Sequence, residues 1–304
     1  MATAGLVAFL LVDVALVALA MRPSGEVAVQ PSSAGSHTGT VTPTPTVTAK
    51  HTATKPAYVA APLTVMIVGL DATRAWRARS GTCSGAGALV QTTTNGGRAW
   101  TKGTRPAAAI GRIQPLPEGD GFIYAADKRC VLAERTTSDN GQTWSVRGKL
   151  SGAWTRNPKD VTVVVTPQAP GSHPCGDEAV LDLARYSGTQ AQALCLDGGV
   201  KQTVDGGSRW TDAGNAPGAL ALASRAEDGV PALYVARVTT ACAGVEIARV
   251  LARGADPVSV ACVKTTAKAA PGEVSVSTLA SAGWLAVGAE TWLAGPNLTT
   301  WTKA

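Results

Sequence analysis

The chain has 304 residues, enough for one large β domain or two ordinary ones. Charged residues make up only 16% and the net charge is +6 with no dense Lys/Arg patch, which disfavours nucleic acid as a partner. Eight Trp stand against two Phe, a ratio that suits tryptophans carried by a repeat better than a generic aromatic core.

Residues 1–22 hold a nearly unbroken apolar run whose length suits one bilayer crossing. Asp13 interrupts it at a cost of roughly 2.5–3.5 kcal/mol, against roughly 0.3–0.6 kcal/mol returned by each Leu, Val or Phe. The expectation is a signal-anchor helix that ties the chain to the cell membrane. The alternative is a signal peptide cleaved after Ala18-Leu19-Ala20, which would leave the protein secreted. Arg22 follows the run and no Lys or Arg precedes it, so the positive-inside rule alone points the rest of the chain into the cytoplasm. The linker and the cysteines point outward.

Residues 23–62 are rich in Pro, Thr, Ser and Ala, and Pro43 and Pro45 disfavour a sheet. They read as a disordered, extended tether of about 120 Å reach at ~3.1 Å per residue. Such a tether suits a domain displayed on a bacterial cell surface.

From residue 63 to 304 the chain reads as strands and turns. Apolar runs that would open a blade-like sheet recur at Leu63–Leu70, Ile110–Leu116, Val161–Thr166, Ala219–Ser224 and Val274–Leu279. Each interval has room for four short strands. Between them, "TTSDNGQTW" carries Asn140-Gly141, the strongest short hairpin signal, because both residues tolerate positive φ. "TTNGGRAW" and "TVDGGSRW" share its frame. A Thr lies seven residues before the Trp, an Asp or Asn five before, and a Gly three before. The sets are Thr93, Asn95, Gly97 and Trp100; Thr137, Asp139, Gly141, Thr143 and Trp144; and Thr203, Asp205, Gly207 and Trp210. "LTTW", ending at Trp301, is a degenerate fourth copy.

Six cysteines behind an export-like segment predict disulfides. Cys175 and Cys195 are twenty residues apart, as are Cys242 and Cys262, and each pair brackets a strand–turn–strand pattern. By elimination, Cys83 would bond Cys130 and link the first two repeats.

The repeated frame resembles the Asp-box (BNR) repeat, Ser/Thr-x-Asp-x-Gly-x-Thr/Ser-Trp. The copy at Asp139 matches it throughout. The copy at Asp205 has Arg209 at the Thr position, and the copy at Asn95 departs at both Asn95 and Ala99. The resemblance implies an all-β fold, a β-propeller of about five four-stranded blades with room for six or seven. In that family the box is a structural turn between the third and fourth strands, and its Trp packs between blades. Sialidases, sortilin-type receptors and photosystem assembly factors carry such boxes.

Catalytic signals are sparse. His173 lies beside Asp177 and Glu178 in "GSHPCGDE", which reads as a polar loop. Arg112-Ile113-Gln114-Pro115 only loosely echoes the sialidase Arg-Ile-Pro motif, and no Tyr–Glu nucleophile pair is recognisable. No C-x-x-C occurs, and "SDNG" lacks the distant Glu of a calcium loop, so no metal or cofactor is expected. The expectation is a non-catalytic, membrane-anchored extracytoplasmic propeller that binds a protein or glycan of the cell envelope. The alternatives are an exo-acting, sialidase-like glycoside hydrolase and an assembly factor for a membrane complex. A channel mouth bearing converging Arg and carboxylate groups would favour the hydrolase.

Overall fold

The computed structural model describes residues 64–150, 153–251 and 255–304, all within the second of the chain's two contact units, 57–304. The anchor expected at 1–22 and the tether at 23–62 lie outside the described residues. No helix of the described residues is long and apolar enough to cross a membrane.

Four sheets are sequential antiparallel meanders of four strands. They are β4 Ala109–Pro115, β5 Gly121–Ala126, β6 Leu132–Thr137 and β7 Ser145–Lys149; β10 Val180–Arg185, β11 Ala191–Cys195, β12 Gly199–Thr203 and β13 Thr211–Asn215; β14 Ala219–Glu227, β15 Val230–Arg237, β16 Val245–Val250 and β17 Val258–Val263; and β18 Val274–Thr278, β19 Gly283–Val287, β20 Glu290–Ala294 and β21 Trp301–Lys303. The sheet that precedes them has three strands, β1 Val65–Gly69, β2 Ala75–Arg79 and β3 Leu89–Thr93. Residues 101–104 take its fourth place, where Val90 and Thr104 exchange backbone hydrogen bonds of 2.9 Å. Together these sheets make a five-bladed β-propeller. Helix among the described residues is limited to a single 3-10 turn, Pro117–Gly119.

The third blade begins later than its apolar pattern suggests. Val161–Thr166 does not form an inner strand. Val163 N–H donates to Asp160 O in a turn, and only Val164–Val165 (β9) pairs, with Thr155–Arg156 (β8). The backbone of that run is consumed by the turn and by a bond from Val180 N–H to Val161 O. The inner strand of the third blade is instead β10. The two-stranded ribbon β8–β9 fits between the second and third blades, with β8 touching both β4 and β10.

The core lies in the seams between blades. Apolar clusters fill the seams between blades one and two, three and four, four and five, and five and one, and another joins Val164 of the ribbon to the third blade. The described residues show no such cluster between the second blade and the ribbon.

Ring closure uses no sheet shared between the chain's two ends. Val65 N–H donates to Gly272 O (3.0 Å), Ile67 N–H to Ser275 Oγ (3.0 Å) and Gly69 N–H to Ser277 Oγ (3.2 Å). The fully buried Trp284 of the fifth blade donates its Nε1–H to Asp71 O of the first at 2.8 Å.

A candidate ligand site in the central channel

The repeated turns form three matching hydrogen-bond cages. In each, the Thr hydroxyl donates to the Asx carboxyl or amide oxygen: Thr93 to Asn95 (3.0 Å), Thr137 to Asp139 (2.7 Å) and Thr203 to Asp205 (2.8 Å). The same hydroxyl accepts the N–H of Gly97, Gly141 or Gly207 at 3.0–3.1 Å. The Asx oxygen also accepts an N–H four residues on, from Ala99, Thr143 or Arg209, at 2.9–3.0 Å. Asn95 therefore builds the cage as well as Asp does. At the fourth copy, Leu298 stands three residues before Trp301, with φ 59° where the other copies have Gly. Trp301 Nε1–H donates to Leu298 O (2.8 Å) as Trp144 Nε1–H does to Gly141 O (3.0 Å).

The tryptophan that ends each of the three repeated turns meets a second tryptophan edge-on: Trp144 with Trp76, Trp100 with Trp284 and Trp210 with Trp154. Cys83–Cys130, Cys175–Cys195 and Cys242–Cys262 are all bonded, with Cα–Cα separations of 5.4, 5.6 and 5.6 Å. Within a meander, the first and third turns share one end of the blade. The repeated turns lie at that end, and the disulfides gather at the other.

A cavity of about 310 Å³ runs between the inner strands β1, β4, β8, β10, β14 and β18. Polar side chains of successive inner strands latch onto the next one around the ring. Arg112 on β4 donates to Trp154 O (3.2 Å), and Arg156 on β8 donates to Leu181 O. Asp182 on β10 accepts Leu222 N–H of β14 at 2.8 Å. Arg225 on β14 donates to Leu279 O just past β18 at 3.2 Å.

These latches leave an uneven charge. Arg112, Arg156 and Arg185 line the channel against one carboxylate, Asp182. Both Asp182 oxygens already accept backbone N–H groups, from Leu183 and Leu222. Burial pushes its carboxyl above the ordinary range, while Arg156 and those N–H bonds oppose the shift. Burial, with Arg185 beside it, lowers the Arg112 guanidinium to about 10, still charged at neutral pH. Arg112 also donates to Gln114 Oε1 at 2.7 Å. Arg185 is exposed and makes no ion pair or hydrogen bond among the described residues. On the facing wall, the hydroxyls of Ser224 and Thr278 are buried without a partner.

The remaining candidates disperse. His173 is exposed, 3.4 Å from Thr162 Oγ1, and no metal-binding group of three or more His, Cys, Asp or Glu occurs among the described residues. A Tyr–Glu pair does exist, contrary to expectation. Tyr234 donates to Glu227 at 2.5 Å, and Glu227 also pairs with Arg225 (2.6 Å) and Arg249 (3.0 Å). It sits at the β14–β15 turn and does not line the channel. Its signal was Glu227 before the Asp228-Gly229 turn and Tyr234 seven residues on, on the two strands of one hairpin, where Tyr234 stands opposite Ala223 and reaches along the sheet to Glu227.

No protein-family model and no curated protein matches the sequence. Solved structures with a similar fold include YCF48 bound to D1 peptide, at 14% identity over 80% of this chain and 67% of that one, with a TM-score of 0.29. SapL1 lectin in complex with α-methyl fucoside is 13% identical over 80% and 95% of the two chains, with a TM-score of 0.49. An α-L-arabinofuranosidase from Clostridium thermocellum is 9% identical over 74% and 82%, with a TM-score of 0.44. At these values the likeness concerns the fold alone.

Proposed function

We propose that this protein is a non-catalytic binding propeller, held outside the cytoplasm by the apolar segment 1–22 and the tether 23–62, that captures a protein or glycan of the cell envelope by an anionic group. The three cages are Asp boxes in this reading, complete at Asp139 and altered at Asn95 and Asp205, and they serve the blades and not the ligand. The observation that carries it is Arg185 beside Arg112 in the channel, neither one facing a carboxylate of its own. Two adjacent cations that the fold leaves unneutralised, one of them partly buried, attract an anion more strongly than a lone exposed cation does.

Binding is favoured over glycoside hydrolysis by the carboxylate count. Most glycosidases set two carboxyl groups across the scissile bond. The described channel lining offers Asp182 alone, with both oxygens engaged by backbone.

The test is an NMR titration of the full chain with acetate and with inorganic phosphate, reading the arginine Nε–Hε resonances. Arg112 and Arg185 should shift at anion concentrations that leave the exposed Arg209 unmoved. Three resonances that move together would contradict a channel site.

A further inference from the structure

The ribbon β8–β9 fills only the inner part of the gap between the second and third blades. It approaches β4 closely: a Cβ on Gly111 would lie 2.3 Å from Thr155 Oγ1. It packs outward onto the third blade through Val164. Among the described residues, no apolar cluster covers the face of β5–β7 that points toward it. The opposite face, with Ile113, Ile123 and Ala125, is sealed against the first blade.

That uncovered face has its own chemistry. Register places Tyr124 opposite Arg112 and Glu134, Phe122 opposite Gln114 and Thr136, and Thr136 opposite Ser145. Phe122 and Tyr124 are half-buried, with ring centroids 5.1 Å apart. The Arg112 guanidinium lies 5.7 Å from each ring centroid. Asp120, Phe122, Glu134, Thr136, Ser145 and Arg147 line a cavity of about 360 Å³ here. The hydroxyl of Tyr124, the carboxylate of Glu134 and the guanidinium of Arg147 make no hydrogen bond or ion pair among the described residues.

We infer that this face is a saccharide site, taking the apolar face of a neutral pyranose ring on Phe122, which Tyr124 backs at 5.1 Å. The rings supply rigid amphipathic area. Glu134 and Arg147, with the hydroxyls of Thr136 and Ser145, supply the hydrogen bonds that ring hydroxyls require. The size lies within the usual range for ligand clefts, roughly 300–1,000 Å³. The lining carries Asp120 and Glu134 against Arg147, so a polyanion gains nothing here, in contrast to the channel. The site goes beyond the channel reading and stands whatever fills the channel.

The test is saturation-transfer NMR on the full chain with cellohexaose, chitohexaose and mannohexaose as probes. At least one should receive saturation on its ring C–H protons. Phe122→Ala should reduce the transfer about fivefold or more. Glu134→Gln, which alters only a surface hydrogen-bonding group, should reduce it too, and Arg209→Glu, at an exposed position on the third blade, should leave it unchanged. The inference is overturned if no hexasaccharide receives saturation, or if transfer survives both Phe122→Ala and Glu134→Gln. It is overturned equally if a peptide of residues 40–49 receives saturation and the sugars do not, or if the chain self-associates in sedimentation through a contact that Phe122→Ala abolishes.

Discussion

Trp144 of the second blade meets Trp76 of the first edge-on, with ring centroids 5.7 Å apart and planes at 75°. Trp76 is fully buried and donates to Asn140 Oδ1 in the very turn that precedes Trp144. One blade thus grips the turn of the next, and the turn's own tryptophan closes the contact. Trp144→Ala should lower the unfolding free energy by about 3 kcal/mol, near the low end for a large aromatic because the ring edge is partly exposed. Trp284→Ala, at a fully buried ring in the closing seam, should cost more, up to about 5 kcal/mol. Urea denaturation of both variants checks the order.

The cages differ in one titratable atom. Hydrogen bonds from Thr137 and Thr143 hold the Asp139 carboxyl at about 2, below its ordinary 3.8. Folding therefore favours the ionised form. Its contribution is full above the unfolded value and fades as pH falls through the folded one. Wild type should exceed Asp139→Asn in Tm at pH 5, and the gap should close between about pH 4 and pH 2. Asn95 shows that an amide can build the same cage, so Asp139→Asn should remain folded throughout.

The disulfides should be unequal. Cys83–Cys130 closes 47 residues and ties the loops of two blades, whereas each of the others closes 20 within one blade. Loop-closure entropy assigns about 4 kcal/mol to the first and about 3 kcal/mol to each of the others. Mass mapping of the natively expressed chain should recover these three pairs, and Cys83→Ser/Cys130→Ser should lower Tm more than Cys242→Ser/Cys262→Ser.

The Tyr234–Glu227 pair should not act as a nucleophile. Arg225 and Arg249 hold Glu227 as an ion pair, and hydrogen bonds from Tyr234 and Arg225 keep its carboxyl below the usual range. Burial and that carboxylate push the Tyr234 phenol up, away from the phenolate that attack would require. A fluorogenic sialoside should show no turnover above background, and Glu227→Gln should change only stability.

Local chemistry was legible in the sequence, and ring geometry was not. The cages at Asn95, Asp139 and Asp205 depend on contacts within seven residues, so spacing alone exposes them. The cysteine pairs were readable for a related reason, since each twenty-residue interval brackets one hairpin. The start of the third blade was misplaced because Val161–Thr166 is apolar enough for a strand, while Asp160 and Val180 claim its backbone for a turn and a crossing. Arg156, Asp182 and Arg185 were missed because inner strands reveal themselves only when the ring closes. On β10, Asp182 within an otherwise apolar run was the one available sign.

The central claim is an anion-seeking channel on a surface-displayed propeller. The most direct measurement is binding of the full chain to isolated envelope fractions, comparing wild type with Arg185→Glu across a salt series. Arg185 is exposed and holds no latch, so its reversal leaves the ring intact. The account predicts salt-sensitive wild-type binding and a loss of about tenfold or more in the variant. Equal binding by both proteins at every salt concentration would contradict it.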